Sequence, residues 1–175
     1  GELDAALRDA EAALEIDPLG RAHVLRGEVL RQRGRMGEAL KAYERAVAVD
    51  PALWDETFAS RWEAAQEEGA IEALAGLADG YAERHAADRL RFYYQGWASL
   101  EADRHEEAIG YLSKGLEGAG EQEAVFWYLL GRAYTAIEAW EEAIVSLETA
   151  RTMLERNDTS MVLHTEEPVA DLFAA

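Results

Sequence analysis

The chain has 175 residues, 49% of them hydrophobic, which is enough for a substantial core in one folded unit. Thirty-five acids against seventeen Lys and Arg give a formal charge of −18, which would repel a phosphate backbone or an anionic membrane surface and argues against nucleic acid as a partner. The absence of cysteine excludes a disulfide framework and a thiolate zinc site, and no apolar run approaches membrane-spanning length.

In chain order, residues 1–18 read as one helix, with Leu3, Ala6, Leu7, Ala10, Ala13 and Leu14 recurring at three- and four-residue steps and Asp17-Pro18 ending it. Residues 20–51 read as a helix pair. Leu25, Gly27 and Leu30 lie on its first helix, Gly34 at the turn, and Ala39, Leu40, Tyr43, Ala46 and Val47 on its second, closed by Asp50-Pro51. Glycine in a helix costs about 1 kcal/mol relative to alanine, so Gly27 opposite Ala39 and Ala46 implies a close helix approach. Residues 53–86 have the same length and different contents: Trp62 stands where glycine is expected, Leu74 where alanine is, and Tyr81 replaces a second alanine. Three small residues enlarged together predict helices that lie further apart and a local distortion.

Residues 89–117 restore the pattern with Phe92, Gly96, Leu100, a turn around Asp103, then Ala108, Leu112, Gly115 and Leu116. Gly118 to Gly120 reads as a linker. Residues 124–154 carry the clearest copy: Trp127, Leu130, Gly131 and Tyr134, then Ala143, Leu147 and Ala150, with Trp127, Gly131 and Ala143 expected inside. The ladder Ala6, Ala39, Leu74, Ala108, Ala143 advances by 33, 35, 34 and 35 residues, a period that runs through residues 1–155. In the tail, 156–175, Thr165 can cap a short helix with Val169, Leu172 and Phe173 on one face. It reads as a cap on the last repeat, or alternatively as a peptide segment for a groove of this chain or of a neighbour.

The pattern W-x-x-L-G-x-x-Y followed by A-x-x-x-L-x-x-A at Trp127–Ala150 resembles the tetratricopeptide repeat. The resemblance implies an all-α fold: a right-handed α-solenoid of antiparallel helix pairs, about four and a half repeats with a C-terminal capping helix. It also implies a concave surface lined by the first helix of each pair. On this chain that surface would carry Arg21, Val24, Leu25, Glu28 and Arg31, then Ser60 and Glu63, then Tyr93, Tyr94, Trp97 and Leu100, and finally Val125, Tyr128, Leu129, Arg132 and Thr135. The candidate peptide-binding set is Arg21, Glu28, Arg31, Tyr93, Tyr94, Trp97, Leu100, Tyr128 and Arg132, with the rings as anchors and Arg132 orienting a carboxylate or carbonyl. Tyr93 and Trp97 could equally be packing residues. A carboxylate clamp of lysines and asparagines, known in one subclass, is not expected, since Lys41 and Lys114 both fall on second helices.

Catalysis is not expected. The four histidines are scattered, and His105-Glu106-Glu107 lacks the second histidine of a helical zinc site and reads as a helix start. Glu67 with Glu68, and Glu141 with Glu142, read as solvated helix surface. The reading is therefore a non-catalytic scaffold for a protein or extended peptide, with no cofactor, no metal, no nucleic acid and no membrane insertion. Two alternatives stand beside it: self-assembly through the N-terminal half repeat or the tail, and a regulatory part of a larger enzyme. Composition suits the cytoplasm and also the periplasm. The chain opens inside a repeat, which leaves room for a natural N-terminus upstream.

Overall fold

The computed structural model describes residues 2–16, 19–117 and 123–156. The expectations for Asp17-Pro18, for the Gly118 to Gly120 linker and for the tail beyond Arg156, its capping helix included, lie outside the described residues. These residues form nine α-helices and no strand. They are α1 (Glu2–Ile16), α2 (Gly20–Gln32), α3 (Met36–Val49), α4 (Trp54–Glu68), α5 (Ile71–Arg84), α6 (Leu90–Glu101), α7 (His105–Leu116), α8 (Glu123–Ala136) and α9 (Trp140–Arg156), with a single 3-10 turn at Pro51–Leu53. Each helix packs chiefly on its sequence neighbours, so the chain stacks as an α-solenoid of the pairs α2/α3, α4/α5, α6/α7 and α8/α9 behind α1. None of these helices is long and apolar enough to cross a membrane.

All four pairs turn in the same way. Gly34, Gly69, Asp103 and Glu138 adopt left-handed φ values of 69°, 67°, 56° and 61°. The next amide then reaches back five residues to a carbonyl: Arg35 to Leu30 at 2.9 Å, Ala70 to Ala65 at 2.8 Å, Arg104 to Ser99 at 2.8 Å and Ala139 to Tyr134 at 2.9 Å. This is the hydrogen-bonded left-handed helix stop that glycine suits and that Asp or Glu adopts at a conformational cost.

The pairs differ in how their helices meet. A Cβ on Gly27 would lie 2.6 Å from the Tyr43 ring, and one on Gly96 or Gly131 would lie 2.6 Å from the Leu112 or Leu147 side chain. The glycine therefore seats one large residue of the second helix. Gly27 makes room for Tyr43, and not simply for the approach of Ala39 and Ala46. In α4 the corresponding residue is Trp62, 3% exposed, and α4 and α5 lie against each other least closely of any consecutive helices described. The volume between them is filled by rings: Phe58 stacks on Trp54 at 5.1 Å, Trp62 on Phe58 at 6.1 Å, and Tyr81 meets Phe58 at 4.9 Å.

A charge is buried beside this cluster. Arg61 donates from Nη2 to the Trp54 carbonyl at 2.8 Å with its guanidinium 5.0 Å from the Trp54 ring, and burial pushes its pKa down to about 10. The Arg84 guanidinium also lies on Trp54, at 4.7 Å.

At the N-terminal end, Leu7 and Ala10 of α1 are buried, and Leu7 joins Val29, Leu30, Ala39 and Tyr43 in one cluster. Leu7 is thereby covered within the cluster built from α2 and α3. Leu3 stays exposed, and the side chain of Leu14 lies outside the described residues.

Candidate binding groove

The first helices α2, α4, α6 and α8 carry the residues expected in the groove, and corresponding positions on them can be followed along the stack. One row, directly after the glycine or Trp62, reads Glu28, Glu63, Trp97 and Arg132. Another, four residues earlier, reads Val24, Ala59, Tyr93 and Tyr128.

At the N-terminal end these rows are joined by ion pairs between α2 and α4. Arg21 grips Glu56 with two hydrogen bonds of 3.0 and 3.1 Å. Arg31 spans Glu63, at 3.1 and 3.0 Å, and Glu28, at 3.1 Å, while Ser60 donates to Glu28 at 3.1 Å. Burial raises the Glu28 carboxyl pKa, and the neighbouring Tyr43, Arg31 and Ser60 outweigh that and leave it below its ordinary value. Arg21, Glu28 and Arg31 are thus engaged with their own chain. Each of these pairs is partly open to water and adds little stability, on the order of 0–1 kcal/mol.

At the C-terminal end aromatic rings replace the ion pairs, and several expectations change. Tyr93 is 4% exposed and Leu100 is 7% exposed, so neither lines an open surface. Tyr93 is sealed by Phe126 of α8 at 6.3 Å and by Trp97 at 5.6 Å. Leu100 belongs to the same cluster, as does Leu129, which is fully buried. Tyr94 is half-buried and turned toward the preceding repeat, 4.8 Å from both Phe58 and Trp62 and 4.6 Å from Tyr81. Burial first, and then Asp88, push its hydroxyl pKa up to about 12. It works mainly as a bolt between repeats.

Trp97, Tyr128 and Arg132 remain half-buried. The Arg132 guanidinium lies 5.8 Å from the Trp97 ring and donates to Glu101 at 3.2 Å. The N-terminal end uses a base on the earlier helix and an acid on the later one, Arg31 to Glu63; the C-terminal end reverses the polarity, with Glu101 on α6 and Arg132 on α8. Sequence reasoning missed Glu56 and Glu101 because each answers an arginine more than 30 residues away.

Trp127 was expected inside. Phe126 holds that place, 1% exposed, while Trp127 is half-buried with its Nε1 donating to Glu123 at 3.3 Å. Phe126 packs where Gly115 of α7 leaves room, so the preceding repeat selects which ring enters the core. Of the other residues placed in the groove, Leu25 and Thr135 are exposed, and Val24 and Val125 are half-buried.

Comparison with known proteins agrees with this architecture. The family model described as "Tetratricopeptide repeat" matches residues 20–53. The chain is 36% identical over 89 residues to the "Small glutamine-rich tetratricopeptide repeat-containing protein 2" of Mycosarcoma maydis, covering half of this chain and a quarter of that protein's length. Among solved structures it resembles the crystal structure of MamA, with TM-score 0.71 and 18% identity over 89% of this chain and 91% of that one. It also resembles MamA 41-end from Desulfovibrio magneticus RS-1, with TM-score 0.72 and 16% identity over 91% and 89%. At such identities the two structures speak for the fold, a right-handed solenoid of helix pairs. The matched repeat and the curated relative support a protein-interaction scaffold in general terms. Residues 20–53 thus match a tetratricopeptide repeat, and with its helix pairs and turns recurring at one period the chain resembles tetratricopeptide-repeat proteins.

Proposed function

We propose that the chain is a non-catalytic scaffold that holds an extended segment of a partner protein in its concave groove, with the contact centred on Trp97, Tyr128 and Arg132. In this reading residues 1–155 act as one solenoid and 156–175 as a separate tail. The observation that carries it is the pairing of half-buried Trp97 and Tyr128 on adjacent first helices with the Arg132 guanidinium beside the indole. Rings of this kind supply large contact area at small entropic cost, and few such residues dominate binding energies. Tyr93 and Leu100 support them from behind, and Glu101 orients Arg132, so a partner carboxylate would take the guanidinium in exchange for Glu101. The ion-paired end at Arg21, Glu28 and Arg31 contributes shape and solubility more than grip. The absence of nucleic acid among the partners rests on the charge of −18. Self-assembly through α1 is the second reading, resting on exposed Leu3.

Affinity capture from native lysate with the wild type beside Trp97→Ala/Tyr128→Ala tests the groove. The double variant is expected to lose partners that the wild type retains, with unchanged circular dichroism. Identical partner sets would place the site elsewhere. A strict monomer in light scattering at high concentration would remove self-assembly.

A further inference from the structure

We propose that the outer face of α9 is a second interaction surface, which receives a basic amphipathic helix of a partner protein. Trp140, Ile144, Leu147, Arg151 and Leu154 follow one another along α9 at steps of four and three residues, so they share one face. Trp140 is 58% exposed and Ile144 is 57% exposed. The solenoid itself shows what such a face takes. The corresponding residues of α3 are Met36, Leu40, Tyr43 and Val47, and those of α7 are His105, Ile109, Leu112 and Leu116. On α3, Leu40 is 6% exposed and clusters with Trp54, Phe58 and Trp62 of α4, with Met36 and Val47 beside it. On α7, Leu112 is fully buried with Phe126 and Leu129 of α8, with Ile109 and Leu116 beside it. The row is therefore shaped to accept a helix that presents large apolar side chains, and no described helix lies on the row of α9.

Charge selects the occupant. Glu138 in the turn before α9, and Glu141 and Glu148 beside the apolar row, are exposed and make no ion pair among the described residues, while Arg151 is held by Glu155 at 3.6 Å. An acidic border on an apolar row complements a helix flanked by Lys or Arg. A second copy would bring the same unpaired glutamates and a charge of −18. The chain's own residues 157–175 carry Asp158, Glu166, Glu167 and Asp171 and no Lys or Arg. Both are poorer matches in charge than a basic partner.

Calorimetric titration of the full chain with two synthetic helical peptides of about five turns, one of Leu and Lys and one of Leu and Glu at the same spacing, tests this. The Leu/Lys peptide is expected to bind one-to-one and to weaken as salt rises, and the Leu/Glu peptide to bind at least about tenfold more weakly. Trp140→Ser/Ile144→Ser, at surface positions, and Glu141→Gln/Glu148→Gln are each expected to weaken the Leu/Lys peptide by at least about tenfold. Binding unchanged in Trp140→Ser/Ile144→Ser overturns the proposal. So does a loss in Trp97→Ala/Tyr128→Ala alone, which would seat the peptide in the groove. If a 157–175 peptide displaces the Leu/Lys peptide, and removal of those residues tightens its binding, the occupant is the chain's own tail and the proposal fails. A dimer of the wild type that Trp140→Ser/Ile144→Ser abolishes would assign the face to a second copy and also overturn it.

Discussion

The pairs α4/α5 and α8/α9 have nearly the same length and the same left-handed turn, at Gly69 in one and Glu138 in the other, yet they solve helix packing in opposite ways. In α8/α9 the first helix withdraws: Gly131 offers no side chain, and Leu147 enters the space. In α4/α5 the first helix advances with Trp62, and the two helices stand apart around a set of stacked rings. The hydrogen-bonded turn therefore sets the repeat, and side-chain volume sets how tightly each repeat closes. The difference also reaches the rings of the first helices. Phe58 on α4 and Trp127 on α8 hold corresponding positions, but Tyr94 of α6 meets Phe58 at 4.8 Å while no described first helix follows α8.

The sharpest way to break this comparison is Trp62→Ala. It empties the space between α4 and α5 and is expected to cost about 3–5 kcal/mol in denaturant unfolding, since the separated helices can close only in part. A loss below about 1 kcal/mol would mean that the pair collapses to the ordinary spacing and that Trp62 does not hold it open. Gly131→Leu tests the other pair. Its side chain would have to displace Leu147, for an expected loss of about 1–3 kcal/mol, and a neutral result would mean that the α8/α9 pairing is wrong.

A buried and a half-buried ring of the first helices come next. Phe58→Ala should destabilise by about 3–5 kcal/mol, whereas Tyr128→Ala, removing a half-buried ring, should cost about 1–2 kcal/mol in the same unfolding measurement. Equal losses would show that Tyr128 is core and not groove.

The smallest effects are in the turns and should have opposite signs. Glu138→Gly relieves a left-handed residue and should raise stability by up to about 1 kcal/mol, while Gly69→Ala should lower it by about as much. Matching signs in thermal melts would show that the two turns are not equivalent.

Much of the fold was legible in the sequence because it is local and periodic. The steps of 33 to 35 residues between small residues, the glycines at two of the turns, and Trp62, Leu74 and Tyr81 in the third copy all depend on neighbours within one helix pair. Glu138 escaped notice as a turn residue because a left-handed glutamate has no distinctive signature in sequence.

The groove was legible only as a list of positions. Periodicity by itself determined that Tyr93 and Tyr128 hold the same place on successive first helices, and that Glu28, Glu63, Trp97 and Arg132 form a row. Only the tertiary structure decided that Tyr93 is sealed by Phe126 while Tyr128 stays half-buried, and that Arg31 and Arg132 are answered by Glu63 and Glu101 from other repeats. The physical reason is the same in each case. A repeat's own residues set its helices and its turn, but the cover over its surface and the counter-charge for its arginines come from the neighbouring repeat, some 30 residues away along the chain.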